Sequence, residues 1–511
     1  MITFAAPIGE GMVLQRGARV CLWGHADEPV RVRFRGQAYE ALPDAQGEFS
    51  IYMEGLAPGG PDSLYYNEQA LRDVYVGDVW LLAGQSNMQL PLRRTAHRYP
   101  DALGDVQPAI RQFIPPLRFD FAAPQAALTG GRWHGAAPDT LPEFSAVGYF
   151  FAKALWAKYG VPIGLILTAI GGTPIHSWMP REALRAFPEL LAQADQYADP
   201  AQIAAVEAEN LANTRRFFGT VHKSDPGLRE GWQRPDYDDS GWETRPLGQP
   251  WDGSGSVWLR KTVNIPAEWA GLPAALYLGT VIDWDMAYLN GQVIGNTTYR
   301  YPPRDYPIAA LPAGRSVICL RVISQNGGGF TPGKPWLLAT AKGCIPLADG
   351  WRFRRGGSAE APAPEVFLQN EPVGLYNGMM APLERTALRG ALWYQGESDT
   401  GKPAHYAEKF AAMAQAWRRH WGDDLPILTV ELAQWSGGAD WDALRREQWA
   451  ALAVPRTALV AAYDLGEDND LHPLGKRPVG ERLARCAMRL AYGEAMPLSP
   501  FEVFGVQAGN E

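Results

Sequence analysis

Ser86, in the stretch LLAGQSNMQL (residues 81–90), follows a hydrophobic run and opens a cluster of small polar residues. A serine hydroxyl with its ordinary pKa is a poor nucleophile. It needs a neutral imidazole as base, itself oriented by a carboxylate or a carbonyl. Of the eight histidines, His472 alone has acidic residues this near in a loop, in DNDLHP (468–473). Each stretch also has a plainer reading: Gly84, Ser86 and Asn87 suit a turn, and an aspartate-rich surface loop can carry an incidental histidine. The Gly-x-Ser-x-Gly elbow of α/β-hydrolases is excluded by Met88 in its last position.

Two further stretches bear on that choice. Ile170-Gly171-Gly172-Thr173-Pro174 carries paired glycines, which let a backbone N–H face a ligand without an intruding side chain, as an oxyanion requires. In WYQGESD (393–399) the Gln395 amide could donate a second hydrogen bond to the same oxyanion. Nucleophile, backbone donor, amide donor and base thus fall at the ends of four strands. Their coincidence in one sheet is hard to explain as turns alone.

The positioning elements read as alternating strands and helices from Val74 onward. Val74–Ala83, Ile163–Ala169, Gly390–Tyr394, Ile427–Leu432 and Ala458–Tyr463 are apolar runs of strand length. Between them, Ser145–Tyr159 has helical spacing with Ser145 as cap and Gly160 as stop. His405–His420, Trp441–Ala453 and Val479–Tyr492 read as further helices. Such alternation implies an α/β architecture with a mainly parallel sheet, at whose strand ends chemistry collects.

Two regions lack the alternation. Residues 1–73 offer short apolar stretches broken by Gly, Pro and Asp, the pattern of a small β-sandwich. Residues 220–345 carry short strands and the hairpin turn Asn290-Gly291, and read as a β domain inserted into a split α/β domain (74–219 and 346–511). Trp232, Trp242, Trp251, Trp258, Trp269 and Trp284 crowd this insert. They could stack on sugar rings, although core packing is the plainer reading. Cys21, Cys319, Cys344 and Cys486 form no C-x-x-C pair, which disfavours a zinc knuckle or a disulfide scaffold. They read as buried free thiols, with a Cys319–Cys344 bridge as the lesser alternative.

At 511 residues, 46% hydrophobic and 20% charged, the chain reads as globular with two to four domains. A net charge of -8 argues against a nucleic-acid partner. No apolar run approaches the ~20 residues of a membrane span, and the N-terminus lacks the pattern of an export signal. A cytoplasmic location is the expectation for the sequence as it stands, and a periplasmic or secreted one for a processed form.

GQSNM, GGTPI, WYQGES and DLHP, in that order, resemble the blocks of the SGNH hydrolases, most closely the sialate O-acetylesterase group of carbohydrate esterases. The likeness extends through FSAVGYFFAKAL, GVPIGLI, LYNGMMAPL and the LRREQ helix, and over the β-sandwich leading into them. YDDSGWETRPLG, VWLRKTV and YLNGQVIG resemble galactose-binding-like jelly-roll domains. The resemblance implies an SGNH-type three-layer sandwich with a mainly parallel sheet, preceded by a small β-sandwich and interrupted by a jelly-roll insert.

It further implies Ser86 as nucleophile, His472 as general base, and an oxyanion hole of the Ser86 N–H, the Gly172 N–H and the Gln395 side chain, with no metal or cofactor. The group's acid commonly lies two or three residues before the histidine. Asn469 breaks the D-x-x-H spacing, so Asp470 is the first candidate and Asp468 the alternative, with a dyad held by a backbone carbonyl also open. Asp399 stands where the group commonly has Asn, and His176 where it often has an acidic residue. Glu397 reads as a buried supporting carboxylate.

The implied reaction is removal of acetyl groups from sugar hydroxyls through a serine acyl-enzyme. Neutral xylan or xyloglucan oligosaccharides would use Trp and Tyr platforms and are favoured. Sialic acid would want an arginine clamp, for which Arg93 and Arg94 are available. A non-catalytic carbohydrate-binding protein is the rival of another class, and a lipid or aryl esterase of the same fold the rival among enzymes.

Overall fold

A computed structural model describes residues 1–436, 440–467, 470–497 and 499–505. The chain forms two compact units, one of residues 1–203 and 367–511 and one of residues 204–366.

The main sheet of the first unit runs in the order Arg132–Ala136, Gln107–Ile114, Ile163–Leu167, Gln69–Gly84, Gly390–Tyr394, Ile427–Val430, Thr457–Val460, Glu502–Phe504. Its inner pairings are parallel and the two outermost antiparallel. Strands such as Ile163–Leu167 and Gly390–Tyr394 are buried at every residue, as parallel strands covered on both faces must be. Successive side chains alternate between faces. Leu392 packs with helices Ala146–Tyr159 and Lys476–Leu490 on one side, while Trp393 meets Trp417 of helix Tyr406–Trp421 edge-on, centroids 5.7 Å apart. Helices therefore cover both faces. Helix Ala146–Tyr159 is bounded as its sequence predicts: Ser145 Oγ accepts the Gly148 N–H at 3.0 Å, and Gly160 takes the left-handed conformation.

The strand that ends just before Ser86 is 16 residues long. Its first half pairs with Val13–Gln15 and Gly59–Tyr66 of the N-terminal region, and its second half lies between Ile163–Leu167 and Gly390–Tyr394. The sequence reading divides the chain at 73/74, inside this strand.

The second unit is built on two antiparallel sheets. One has the order Glu243–Arg245, Trp351–Ser358, Gly255–Ile265, Gly314–Ser324, Trp284–Leu289, Gln292–Thr297; the other Asp305–Ile308, Ala274–Leu278, Trp336–Thr340, Gly343–Pro346. Leu259, Val263 and Leu320 of the first share a core with Leu276, Leu278 and Leu338 of the second. Asn290 and Gly291 both have positive φ and join Leu289 to Gln292, the hairpin their sequence calls for.

The unit is wider than the 220–345 read from sequence. Trp351–Ser358 pairs with both Glu243–Arg245 and Gly255–Ile265, because Trp351 and Phe353 alternate with arginines and bury on one face. Helices Pro188–Tyr197 and Pro200–Ser224 are further elements the sequence reading did not include. Trp232, Trp242, Trp251, Trp258 and Trp269 are buried, so they pack cores rather than offering faces to sugars. All four cysteines are free thiols; Cys344 is exposed, contrary to expectation, because its strand Gly343–Pro346 ends the smaller sheet.

Candidate active site

The site begins where the 16-residue strand stops. Gly84 has φ +124°, and a Cβ there would fall 2.2 Å from the Tyr394 carbonyl oxygen, so only glycine fits between the two strand ends. The Gln85 N–H then donates to that same carbonyl at 3.0 Å. This turn sets Ser86 as the first residue of the short helix Ser86–Gln89.

His472 arrives from the other end of the sequence. Its Nε2 lies 2.8 Å from Ser86 Oγ, within reach for proton transfer. The imidazole is buried, and burial pushes its pKa down to about 4. The Asp470 charge opposes that shift, whereas Lys476 and Arg94 add to it. The ring is therefore neutral near pH 7, and Nε2 accepts the serine proton when the ring hydrogen is on Nδ1.

Asp470 Oδ1 accepts the backbone N–H of His472 at 2.8 Å. The structure thus brings Ser86, His472 and Asp470 together. Asp468 and Asn469 lie outside the described residues.

Gly172, with φ +79°, sits in the turn after Ile163–Leu167. That turn is beside Ser86, since a Cβ on Gly171 would lie 3.5 Å from Ser86 Cβ. The Gly171 N–H is held by Gln89 Oε1 at 3.0 Å. By contrast, the N–H groups of Ser86 and Gly172 meet no acceptor among the described residues, so both can serve an oxyanion.

Gln395 departs from the sequence expectation. It is fully buried, and its Nε2 donates to the Thr173 carbonyl at 3.1 Å and to Asp399 Oδ2 at 2.7 Å. Its Oε1 accepts from Tyr406 at 2.9 Å, which fixes the orientation of the amide. The amide is thus engaged on the protein's own acceptors, and Gln395 braces the glycine turn from behind.

Asp399 completes the brace. Its Oδ2 also accepts the Ile175 N–H at 2.9 Å, and Lys409 lies 3.7 Å from its Oδ1. A carboxylate suits this place because both neighbours of Oδ2 are donors. His176 Nε2 lies 3.0 Å from the Asn370 carbonyl, and burial holds its pKa below the ordinary histidine range.

Two residues here, Asn87 and Lys476, carried no catalytic role in the sequence reading. Asn87 donates from Nδ2 to the Leu471 carbonyl at 3.1 Å and to Glu397 Oε1, and Lys476 Nζ donates to Asn87 Oδ1. Burial raises the pKa of the Glu397 carboxyl, which is the supporting group expected of it. Arg94 is half-buried and close enough to act on His472, whereas Arg93 turns outward to pair with Glu143 at 2.8 Å. Among the described residues no group of three or more His, Cys, Asp or Glu is placed to hold a metal ion.

A family model described as "Carbohydrate esterase, sialic acid-specific acetylesterase" matches residues 76–206 and 338–489, more than half of the chain. The chain belongs to this family of carbohydrate esterases. The two matched segments hold Ser86, Asn87, Gly172, Gln395, His472 and Lys476, all of the site just built.

The sialate O-acetylesterase of Homo sapiens is 27% identical over 208 residues, covering 36% of this chain and 40% of that protein. The Rattus norvegicus sialate O-acetylesterase is 30% identical over 215 residues, covering 36% and 38%. The chain therefore spans about two fifths of the length of these curated relatives. Among solved structures, a carbohydrate acetylesterase from Xanthomonas citri is similar over 97% of this chain and 77% of its own, with 26% identity and a TM-score of 0.59.

Proposed function

We propose that the protein is a carbohydrate O-acetylesterase that works through a serine acyl-enzyme, with acetylated xylan- or xyloglucan-type oligosaccharides as its favoured substrates. The observation that carries this reading is the 2.8 Å approach of a neutral, buried His472 to Ser86 beside two unengaged backbone N–H groups. Membership of the family and the likeness to the Xanthomonas citri acetylesterase agree with it.

In this reading Ser86 Oγ attacks the acetyl carbonyl carbon while His472 Nε2 takes the hydroxyl proton. The carbonyl oxygen becomes an oxyanion facing the N–H groups of Ser86 and Gly172, in a turn braced by Gln395 and Asp399. Collapse of the tetrahedral intermediate breaks the bond to the sugar oxygen, and His472 returns the proton to that leaving hydroxyl. Water, deprotonated by the same imidazole, then attacks the acyl-enzyme and releases acetate. Asp470 steadies the imidazolium formed in each half.

The parallel sheet with helices on both faces supports an SGNH-type assignment of the catalytic unit, and the two packed antiparallel sheets of residues 204–366 support a jelly-roll insert. One observation favours a second substrate reading. Arg94 acts on His472, so a cation lies where the carboxylate of an O-acetylated sialic acid could be met.

Acetate release by wild type and Ser86→Ala from acetylated xylo- and xyloglucan-oligosaccharides and from O-acetylated sialic acid tests both readings. Release from the neutral sugars that vanishes in the variant is the expected result. Release from sialic acid alone would transfer the assignment to a sialate esterase, and release from none would leave a carbohydrate-binding protein.

A further inference from the structure

We propose that Lys476 is a positioning residue for the esterase reaction, fixing Asn87 so that the turn carrying Ser86 and the loop carrying His472 are locked to one another. The inference rests on the esterase reading above.

Lys476 occupies a costly place for a cation. It is the first residue of helix Lys476–Leu490, at the positive end of that helix's dipole, and its side chain is 1% exposed. A lysine kept for stability alone would reach solvent along its flexible stem. Here the ammonium is turned inward, its Nζ donating to Asn87 Oδ1 and lying 5.1 Å above the Tyr394 ring. Burial pushes its pKa down to about 7, opposed by the charges of Glu397, Asp470 and Glu467, with Arg94 acting in the same direction as burial. Unfavourable placements of this kind collect at functional sites.

Asn87 shows what the placement achieves. An amide can turn over, exchanging donor for acceptor. With Oδ1 held by an ammonium, Nδ2 must face Glu397 and the Leu471 carbonyl, as it does. Asn87 adjoins the nucleophile and Leu471 adjoins the base, so one side chain ties together two backbone segments 384 residues apart. The same cation lowers the proton affinity of His472, which keeps the imidazole in the form that accepts the serine proton.

The test is Lys476→Met, which keeps an unbranched stem and removes the charge and the donor. Turnover of p-nitrophenyl acetate, which needs no sugar recognition, is measured with wild type and Ser86→Ala alongside. The His472 ring is titrated by NMR in the same proteins, its signal assigned by His472→Gln. The expected result is a kcat lowered at least tenfold, a KM within about twofold, and a His472 titration moved upward by roughly half a pH unit or more, as loss of a nearby like charge requires.

Unchanged kcat, a loss confined to KM, or a lowered kcat with an unmoved His472 titration would each overturn the proposal. Absence of turnover in wild type would defeat the esterase reading instead; the titration then decides the role of Lys476 by itself. Should Lys476→Met fail to fold, Asn87→Asp keeps the shape and the pairing with Lys476 but loses the donor to Leu471. Full kcat in that variant would equally overturn the proposal.

Discussion

His472 Nε2 stands 2.8 Å from Ser86 Oγ although 386 positions of sequence separate them. Nothing local holds this pair together; the packing of distant segments does. Ser86→Ala is expected to fold as wild type, since Ser86 Oγ supports no other described element, and to lose about a millionfold in kcat, the scale set by removing the serine from a serine-protease triad. Circular dichroism with single-turnover acetate release checks both halves of this expectation.

The depressed pKa of His472 fixes the pH dependence. The base works while neutral, so the acid limb of kcat/KM is expected near pH 4 and not near 6.5. Stability follows the same group: between about 6.5 and 4 the unfolded chain binds the proton and the folded chain does not. Stability from this group is therefore full above that window and is lost as pH falls through it. A pH series of initial rates and thermal melts would show an acid limb at ordinary histidine values if the ring were solvated.

Gln395 and Asp399 brace one turn, so they are expected to act as a unit. Gln395→Ala and Asp399→Ala should each lower kcat about a hundredfold, the cost of displacing a catalytic group by an ångström or so. The double variant should fall little further. Multiplied losses in the double variant would instead separate the two roles and return the Gln395 amide to the oxyanion itself.

Asp225 in the second unit accepts from Arg321 at 2.8 Å, from Ser256 and from Trp258, with Asp225 and Arg321 both buried. Asp225→Asn leaves a buried guanidinium without its counter-charge. A loss of about 3–5 kcal/mol is expected, measured as a drop in denaturant midpoint for residues 204–366 followed by tryptophan fluorescence.

Much of the catalytic unit is legible in the sequence because its signals are local. Ser145 and Gly160 bound a helix by their own chemistry, and a largely apolar run that leads into GQSNM predicts a buried strand with a polar turn at its end. What stayed hidden depends on residues far apart. Nothing near Asn87 or Lys476 announces that they meet, and the engagement of the Gln395 amide by the Thr173 carbonyl follows only from how two turns pack. Trp351–Ser358 was legible in principle through its alternation, but its run of arginines masks an apolar face of only two large side chains.

The strand Gln69–Gly84 has a consequence for anyone trimming the protein. A cut at residue 73, where the sequence reading sets a domain boundary, falls within one continuous strand. Removing Val13–Gln15 and Gly59–Tyr66 would strip the partners from the first half of a strand whose second half leads into Ser86. The unpaired N–H and C=O groups left behind form a sticky edge, so the shortened protein should self-associate before any question of catalysis arises. The N-terminal strands thus guard the first half of a strand whose far end leads into Ser86.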